Sequence, residues 1–385
     1  MSETIDRTEE TIAVPNRFYY WLGAIALIYL LLVAVGAIGS GFRAIAGDGE
    51  IELFAFATNP FAGLIVGTLA TAFIQSSSTI TSIIVGLVAG GLPISVAIPM
   101  VMGANIGTTI TNTLVSLGYV REKEEFQRAF AAATIHDFFN FIAVVLFLPL
   151  EIFTHFFEKL ARILAGLLVG EVAVDAGKLN LIGAIASPVE GILEAIAHKF
   201  PFPFDGIILI ILGIGAFFAA IFFLGKLLKE LLVGKAKDLL EGAIGSGSLK
   251  GIFSGTLVTV FVQSSSTTTS LIVPLAGTGF LSLEQVYPFT LGANIGTCIT
   301  AAIAATAATN NQLPALEIAF VHLLYNAIGV IVIYGIPFLR NLPILGAKML
   351  AKVACEQKIW AFVYVISAFF LLPGLCLGIT LRLGL

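Results

Sequence analysis

Long apolar stretches alternate with short polar ones along most of the chain. Several of the apolar stretches exceed the roughly 20 residues that a helix needs to cross a bilayer, so they predict membrane-spanning helices. A transmembrane β-barrel would give short alternating segments instead, which this chain does not have. The pattern predicts an all-α polytopic membrane protein, because helices satisfy their own backbone hydrogen bonds within the membrane.

Two polar runs interrupt the apolar pattern at equivalent places. The run QSSST at residues 75–79 returns unchanged at 263–267, and residues 63–88 match 251–276 at 16 of 26 positions. A second block follows each run, at 103–111 and 292–300, and its two copies differ at one position of nine. This repetition predicts one fold built from a duplicated unit. We expect the two repeats to be inverted, as in many transporters.

The predicted organisation has four parts. Residues 1–17 form an N-terminal tail, 18–155 the first transmembrane repeat, 156–205 a linker with peripheral helices, and 206–385 the second repeat. Five lysines between Lys226 and Lys250 predict a loop on the cytoplasmic side. We therefore expect a multi-pass protein of the cell (inner) membrane. If the repeats are inverted, the cytoplasmic loop also places the N-terminus on the cytoplasmic side.

Composition supports a membrane location and narrows the partners. Hydrophobic residues make up 58% of the 385 residues and charged residues 11%, against roughly 25% charged in soluble domains. The net charge of −4 is small and scattered, so no nucleic-acid partner is expected. The three cysteines are not spaced as metal ligands usually are, so we expect no cofactor apart from the coupling ions. Membrane lipid is expected to surround the protein.

Five successive polar residues occupy every face of a helix turn, so they cannot all contact one neighbouring helix. Because unpaired polar groups in hydrocarbon cost several kcal/mol each, we expect a broken or re-entrant helix that lines a polar cavity. The exposed N–H groups at a helix start favour an anion. Two facing turns would surround a tetrahedral oxyanion, bound by Gln75, Ser76, Ser77, Ser78, Gln263, Ser264, Ser265 and Ser266.

Few lysines or arginines lie in the predicted spans, so co-bound cations are expected to balance the anion. Hydroxyl and amide oxygens near the turns are suitable ligands for a small cation. They belong to Thr79, Asn105, Thr108, Thr267, Asn294 and Thr297.

Five further polar residues lie within or near the spans. Asp137 is the one carboxylate predicted well inside a span, where an acid is functional by default. His136 with Asn140 is echoed by His322 with Asn326. We interpret these histidines and asparagines as structural hydrogen-bonding pairs.

Together these motifs resemble those of the type II sodium–phosphate cotransporter family. The resemblance extends from residue 59 to about 378 and rests on the paired QSSS runs, with support from residues 99–113, 126–140 and 287–300. It implies phosphate held between the two turns, sodium held by nearby hydroxyls and the second blocks, and alternating access driven by the sodium gradient. Asp137 is similar to the aspartate of charge-moving members, which implies electrogenic transport with an additional sodium near it.

The chain also departs from that family. Its linker lacks the long cysteine-bearing loop of animal members, which suggests a compact bacterial form. Cys298 stands where a threonine is common, so a thiol replaces one possible hydroxyl ligand there.

Other functions remain open at this level. The same fold would suit sulfate or another oxyanion, protons in place of sodium, or a passive anion channel. An enzyme is not expected, because no acid pair, histidine cluster or nucleophile–base spacing appears.

Overall fold

The computed structural model describes residues 17–46, 59–172, 188–243, 247–306, 308 and 311–383, and the regular structure in these residues is helical. Residues 1–16 of the predicted N-terminal tail lie outside the described residues. Within the described part of the chain, seven helices are long and apolar enough to cross a membrane. The prediction of an all-α polytopic membrane protein is therefore confirmed.

The helices follow one another in a regular series. In chain order they are α1 (Arg17–Ala46), α2 (Pro60–Ile74), α3 (Ser77–Ala89), α4 (Ile94–Ile106), α5 (Ile110–Leu117), α6 (Lys123–Thr154), α7 (Phe156–Val172), α8 (188–197), α9 (Phe204–Ala243), α10 (Ser248–Val262), α11 (Ser265–Gly277), α12 (Leu283–Thr306), α13 (Gln312–Gly329), α14 (Pro337–Glu356), α15 (Ile359–Ile366) and α16 (Leu372–Leu383).

Both polar runs coincide with breaks between short helices. Only Gln75 and Ser76 separate α2 from α3, and only Gln263 and Ser264 separate α10 from α11. These four helices have 15, 13, 15 and 13 residues. At 1.5 Å per residue each is about 20 Å long, shorter than the roughly 30 Å hydrocarbon core. No one of these four helices is therefore long enough to cross the membrane by itself.

The helices that precede the breaks pack closely on the second blocks. Helix α2 packs against α4, and α10 packs against α12 in the same way. A Cβ added at Gly67 would lie 2.0 Å from the carbonyl oxygen of Met100, and one at Gly255 would lie 2.0 Å from that of Phe289. Glycine therefore lets the two backbones touch, and the paired glycines serve helix packing.

The helices that follow the breaks cross into the other half of the chain. Helix α3 packs against α12 and α13 of the second half, and α11 packs against α5 and α6 of the first half. The first helices of the two halves, α1 and α9, pack along each other. These reciprocal contacts bring the two breaks together. The inversion of the repeats stays a prediction.

Three differences from the sequence analysis concern helix limits. The prediction of a loop from Lys226 onward is wrong, because α9 continues to Ala243. This part of α9 contains leucines spaced three or four residues apart, a pattern that favours a helix. Helix α14 was not predicted. Helix α7, assigned to the linker, packs against α13 and buries Phe157 and Ala161.

Candidate functional site

The two breaks have the same backbone geometry. Gln75 ends α2 with φ 62° and ψ 26°, and Gln263 ends α10 with φ 56° and ψ 25°. The next residues, Ser76 and Ser264, are extended, with φ −150° and −154°. A positive φ in a non-glycine residue costs on the order of 1–3 kcal/mol and is often found at functional sites. The same strained turn therefore occurs once in each half.

Ser76 and Ser264 begin the helices that follow. The Ser76 hydroxyl accepts a hydrogen bond from the backbone N–H of Thr79 at 3.3 Å, and the Ser264 hydroxyl accepts one from Thr267 at 3.1 Å. The first N–H groups of a helix have no intrahelical acceptor, so the next two serines of each run carry N–H groups without a partner in their own helix. Both helix starts therefore offer the positive end of the helix dipole to an anion.

Each glutamine joins its turn to the second block of its own half. The side-chain amide nitrogen of Gln75 donates to the carbonyl of Ala72, and its oxygen accepts from the Thr111 hydroxyl at 2.8 Å. Gln263 has the corresponding bonds, with its oxygen 3.0 Å from the Thr300 hydroxyl. One N–H of each amide remains for a ligand. Thr111 and Thr300 were not predicted, although both end the repeated blocks.

One cavity of about 480 Å³ lies between the two turns. Five of the predicted site residues line it, together with apolar side chains and one lysine. The lining residues are Ile74, Ser76, Thr79, Phe218, Ile221, Phe222, Lys226, Val262, Gln263, Ser264 and Thr267.

The other predicted anion-binding residues, which include the half-buried Gln75, do not line this cavity. Ser77, Ser78, Ser265 and Ser266 are buried. The Ser266 hydroxyl donates to the carbonyl of Thr108 at 3.3 Å, which joins one turn to the second block of the opposite half. The serines of the second turn are therefore held by a contact from the first half as well as by their own helix.

The asparagine of the second block in the second half contacts the first half. The Asn294 amide oxygen lies 2.5 Å from His136 Nε2, and its amide nitrogen donates to Asn140 at 3.1 Å. The Asn140 amide nitrogen in turn donates to the Asn105 carbonyl at 2.8 Å. His136, Asn140 and Asn294 are all buried.

The asparagine of the first half has the reciprocal contacts. The Asn105 amide nitrogen donates to Asn326 at 3.2 Å, and its oxygen lies 3.4 Å from His322 Nε2. The side chain of each histidine thus contacts the second-block asparagine of the opposite half, and not the asparagine four residues along its own helix. A cation at either second-block asparagine oxygen would share that oxygen with a histidine.

Two of the predicted threonine ligands, Thr108 and Thr297, bond to carbonyls three or four residues earlier in the chain. The Thr108 hydroxyl donates to the Ala104 carbonyl at 3.1 Å, and the Thr297 hydroxyl donates to the Asn294 carbonyl at 2.5 Å. The Thr79 hydroxyl lies 2.8 Å from that of Ser76. A hydroxyl that donates keeps its lone pairs, so these oxygens can still bind a cation. Cys298 is buried, with its thiol 3.5 Å from the His322 carbonyl.

Asp137 lies apart from the residues that line the cavity. Its side chain is fully buried, and one carboxylate oxygen accepts from the Tyr364 hydroxyl at 2.7 Å. The other oxygen has no hydrogen-bond partner among the described residues. Tyr364 comes from α15, in a part of the chain that is mostly exposed, and nothing in the sequence indicated this contact. A buried acid with a free oxygen suits a cation.

A second group of acidic and histidine side chains has other roles. Glu151, His155 and Glu158 place their ligand atoms within 4.8 Å of one another. However, the Glu151 carboxylate accepts a hydrogen bond from the backbone N–H of Phe157 at 2.7 Å and so caps the N-terminus of α7. Glu158 forms an ion pair with Arg162. These contacts account for the group without a metal ion.

Comparison with known proteins identifies the family. Residues 30–173 and 202–339 match the family described as Na+/Pi-cotransporter. The chain is 33% identical over 430 residues to sodium-dependent phosphate transport protein 2A of Rattus norvegicus, covering 93% of this chain and 67% of that protein. It is 32% identical over 457 residues to protein 2B of Homo sapiens, covering 94% and 66%. No solved structure matches. The chain belongs to the Na+/Pi-cotransporter family.

Proposed function

We propose that the protein is a secondary transporter that couples inward sodium flow to the uptake of inorganic phosphate. The observation that carries this proposal is the single cavity lined by both QSSST turns. Family membership and the names of the relatives, which are sodium-dependent phosphate transport proteins, support the same function. The protein is a transporter and not an enzyme.

Phosphate binds between the two turns. The free N–H groups at the starts of α3 and α11 point their dipoles toward negative charge, and the serine hydroxyls add donors that carry no fixed charge. The glutamines keep the turns in shape and offer one N–H each. Donors from both halves suit a tetrahedral anion, whose four oxygens face in different directions. The eight serine and glutamine residues of the two turns form this site in our proposal.

Sodium ions bind close by and balance the anion. Thr79, Thr108, Thr267 and Thr297 keep hydroxyl lone pairs that can bind a hard cation, and the amides of Asn105 and Asn294 add oxygens. Asp137 supplies an additional sodium site through its free oxygen, and Tyr364 holds the carboxylate in place. Because this additional sodium crosses the membrane together with the other ions, transport moves net charge.

Alternating access then follows from the two-part construction. Each turn is held by the half that contains it, through Gln75 or Gln263. The helix that follows each turn packs against the opposite half, and Ser266 of the second turn also bonds to Thr108 there. A movement of one repeat against the other therefore changes both turns together. We propose the repeats as inverted units, residues 18–155 and 206–385, with the linker between them and the N-terminus in the cytoplasm of the cell membrane.

Uptake of labelled phosphate into proteoliposomes tests this function. We expect uptake to require an inward sodium gradient and to collapse when choline replaces sodium. Uptake that survives choline and follows a pH gradient would assign the coupling to protons, and uptake of sulfate in preference to phosphate would change the substrate.

Counterflow separates a carrier from a channel. Vesicles preloaded with unlabelled phosphate should transiently accumulate labelled phosphate, because a carrier exchanges one ion for another. Passive equilibration without accumulation would contradict the proposal and indicate a pore.

A further inference from the structure

One cationic side chain, that of Lys226, lines the cavity between the two turns. It lies on α9, where residues 218, 222 and 226 are four apart and so share one face of the helix. Lys226 is exposed, and among the described residues that line the cavity it alone carries a charge. The remaining lining consists of hydroxyls, one amide and apolar side chains. The polar donors of the turns therefore face the same space as a full positive charge.

A full charge differs in range from the other attractive groups in the cavity. A helix start is equivalent to about half an elementary charge, and its effect falls off within the first turn. An ammonium group acts over about 8–10 Å at physiological ionic strength. Apolar walls, here including Phe218 and Phe222, raise the field inside a cleft of one sign. A mobile anion thus meets the field of Lys226 before it reaches the donors of the turns.

We propose that Lys226 concentrates phosphate in the cavity and contributes to its affinity through charge alone. Its long flexible stem lets the ammonium act as a point charge without a fixed geometry. The inference rests on the proposed function, because it takes phosphate as the anion and this cavity as its site. From the sequence, co-bound cations are expected to balance the anion. In this proposal the positive charge of Lys226 contributes to that balance together with the sodium ions.

Equilibrium binding of labelled phosphate to the purified full chain tests this role, because it does not depend on which side of the membrane the cavity faces. Sodium is held constant and choline chloride sets the ionic strength. We expect Lys226→Gln to weaken binding roughly three- to tenfold, which corresponds to about 0.7–1.4 kcal/mol. The decline of affinity with added salt should also become shallower, because one attractive charge has gone.

Three further variants test whether the effect depends on the charge at residue 226, on the shape of that side chain, or on the position of the lysine. Lys226→Arg keeps the charge and should bind within about twofold of the parent chain, whereas Lys226→Glu should bind more weakly than Lys226→Gln. The matched control is Lys250→Gln, which removes an exposed lysine from the first turn of α10, roughly 20 Å along the helix from Gln263. At that distance its charge is screened, and phosphate binding should not change.

Two results would overturn the proposal. Unchanged affinity and an unchanged salt dependence in Lys226→Gln would show that the lysine charge does not act on the anion. Equal weakening by Lys226→Gln and Lys226→Arg would assign the effect to side-chain packing. A parent chain that binds no phosphate in sodium would instead refute the proposed function itself, so the two failures are distinguishable.

Discussion

Replacing Thr300 by valine removes the hydroxyl that donates to the side chain of Gln263, while the shape of the side chain is nearly kept. Thr300 is fully buried, and the Gln263 oxygen lies 3.0 Å from its hydroxyl. The change leaves that amide oxygen without its donor next to the strained turn. We expect the turn to lose its fixed position, and phosphate binding to weaken as a result.

The structure sets the size of this effect. A buried acceptor left without a partner costs about 1–3 kcal/mol. If the whole cost falls on the binding-competent turn, phosphate affinity decreases by about 5- to 150-fold. In the first half, the bond from Thr111 to Gln75 is only partly buried. Water can replace part of it, so we expect Thr111→Val to cost about 0.5–1.5 kcal/mol, or roughly 2- to 13-fold.

The assay is equilibrium binding of labelled phosphate in saturating sodium, together with sodium-driven uptake into proteoliposomes. Thr300→Ser keeps the hydroxyl and should retain most of the binding. Thr134→Val is the matched control, because Thr134 is equally buried but its hydroxyl donates to a carbonyl of its own helix, that of Phe130, at 2.8 Å. Normal binding by Thr300→Val would refute the reasoning, and would show that Gln263 needs no support from Thr300.

The remaining predictions concern the turns, the buried acid and the helix contacts. Gln75→Ala and Gln263→Ala should each abolish uptake while the protein still inserts, and near-normal uptake by either would contradict the shared cavity. Asp137→Gly should preserve phosphate uptake but remove the net current, and an unchanged current would refute its role. Tyr364→Phe should raise the sodium concentration for half-maximal current without abolishing it; an unchanged sodium dependence would show that the 2.7 Å contact is not needed. Gly67→Ala should prevent stable folding in thermal unfolding and expression tests, because the added Cβ meets a backbone oxygen; normal stability would contradict the close approach.

The break in each polar run could be predicted because it follows from local chemistry. A run of five polar residues in an apolar stretch has no unbroken helical arrangement that gives every group a partner in lipid. The breaks lie at the start of each run, at Gln75–Ser76 and Gln263–Ser264. The packing of α3 and α11 against the opposite halves could not be predicted from the sequence, because it depends on contacts between distant segments.

The missed contacts are those between residues far apart in the sequence. Thr111 lies 36 residues from Gln75, and Tyr364 lies 227 residues from Asp137. No periodicity of a single segment indicates such pairs. The repetition of Thr111 as Thr300 was a usable signal, since both copies carry the same residue at the end of the block. The Tyr364 contact has no counterpart of this kind that would have indicated it.

The histidines and asparagines show both outcomes at once. Their polar character and spacing predicted hydrogen bonding within the membrane, and the structure places all of them in hydrogen bonds. The side-chain partners of the histidines were misjudged, because the spacing of four residues suggested contacts along one helix. The Asn326 amide does follow that spacing, since it donates to the His322 backbone carbonyl at 2.9 Å. In the structure the side chains of His136 and His322 contact the opposite half instead. The spacing of residues in the sequence predicts only which side chains are neighbours on one helix. The two histidines are buried between the halves, where their side chains contact asparagines of the other half.

A structure determined with sodium and phosphate present is the most direct measurement of the central claim, that both turns bind a single anion. We predict density for one tetrahedral anion inside the cavity, within hydrogen-bond distance of backbone N–H groups from 77–78 and from 265–266. Density for phosphate at a site that contacts only one turn, or neither, would contradict the claim.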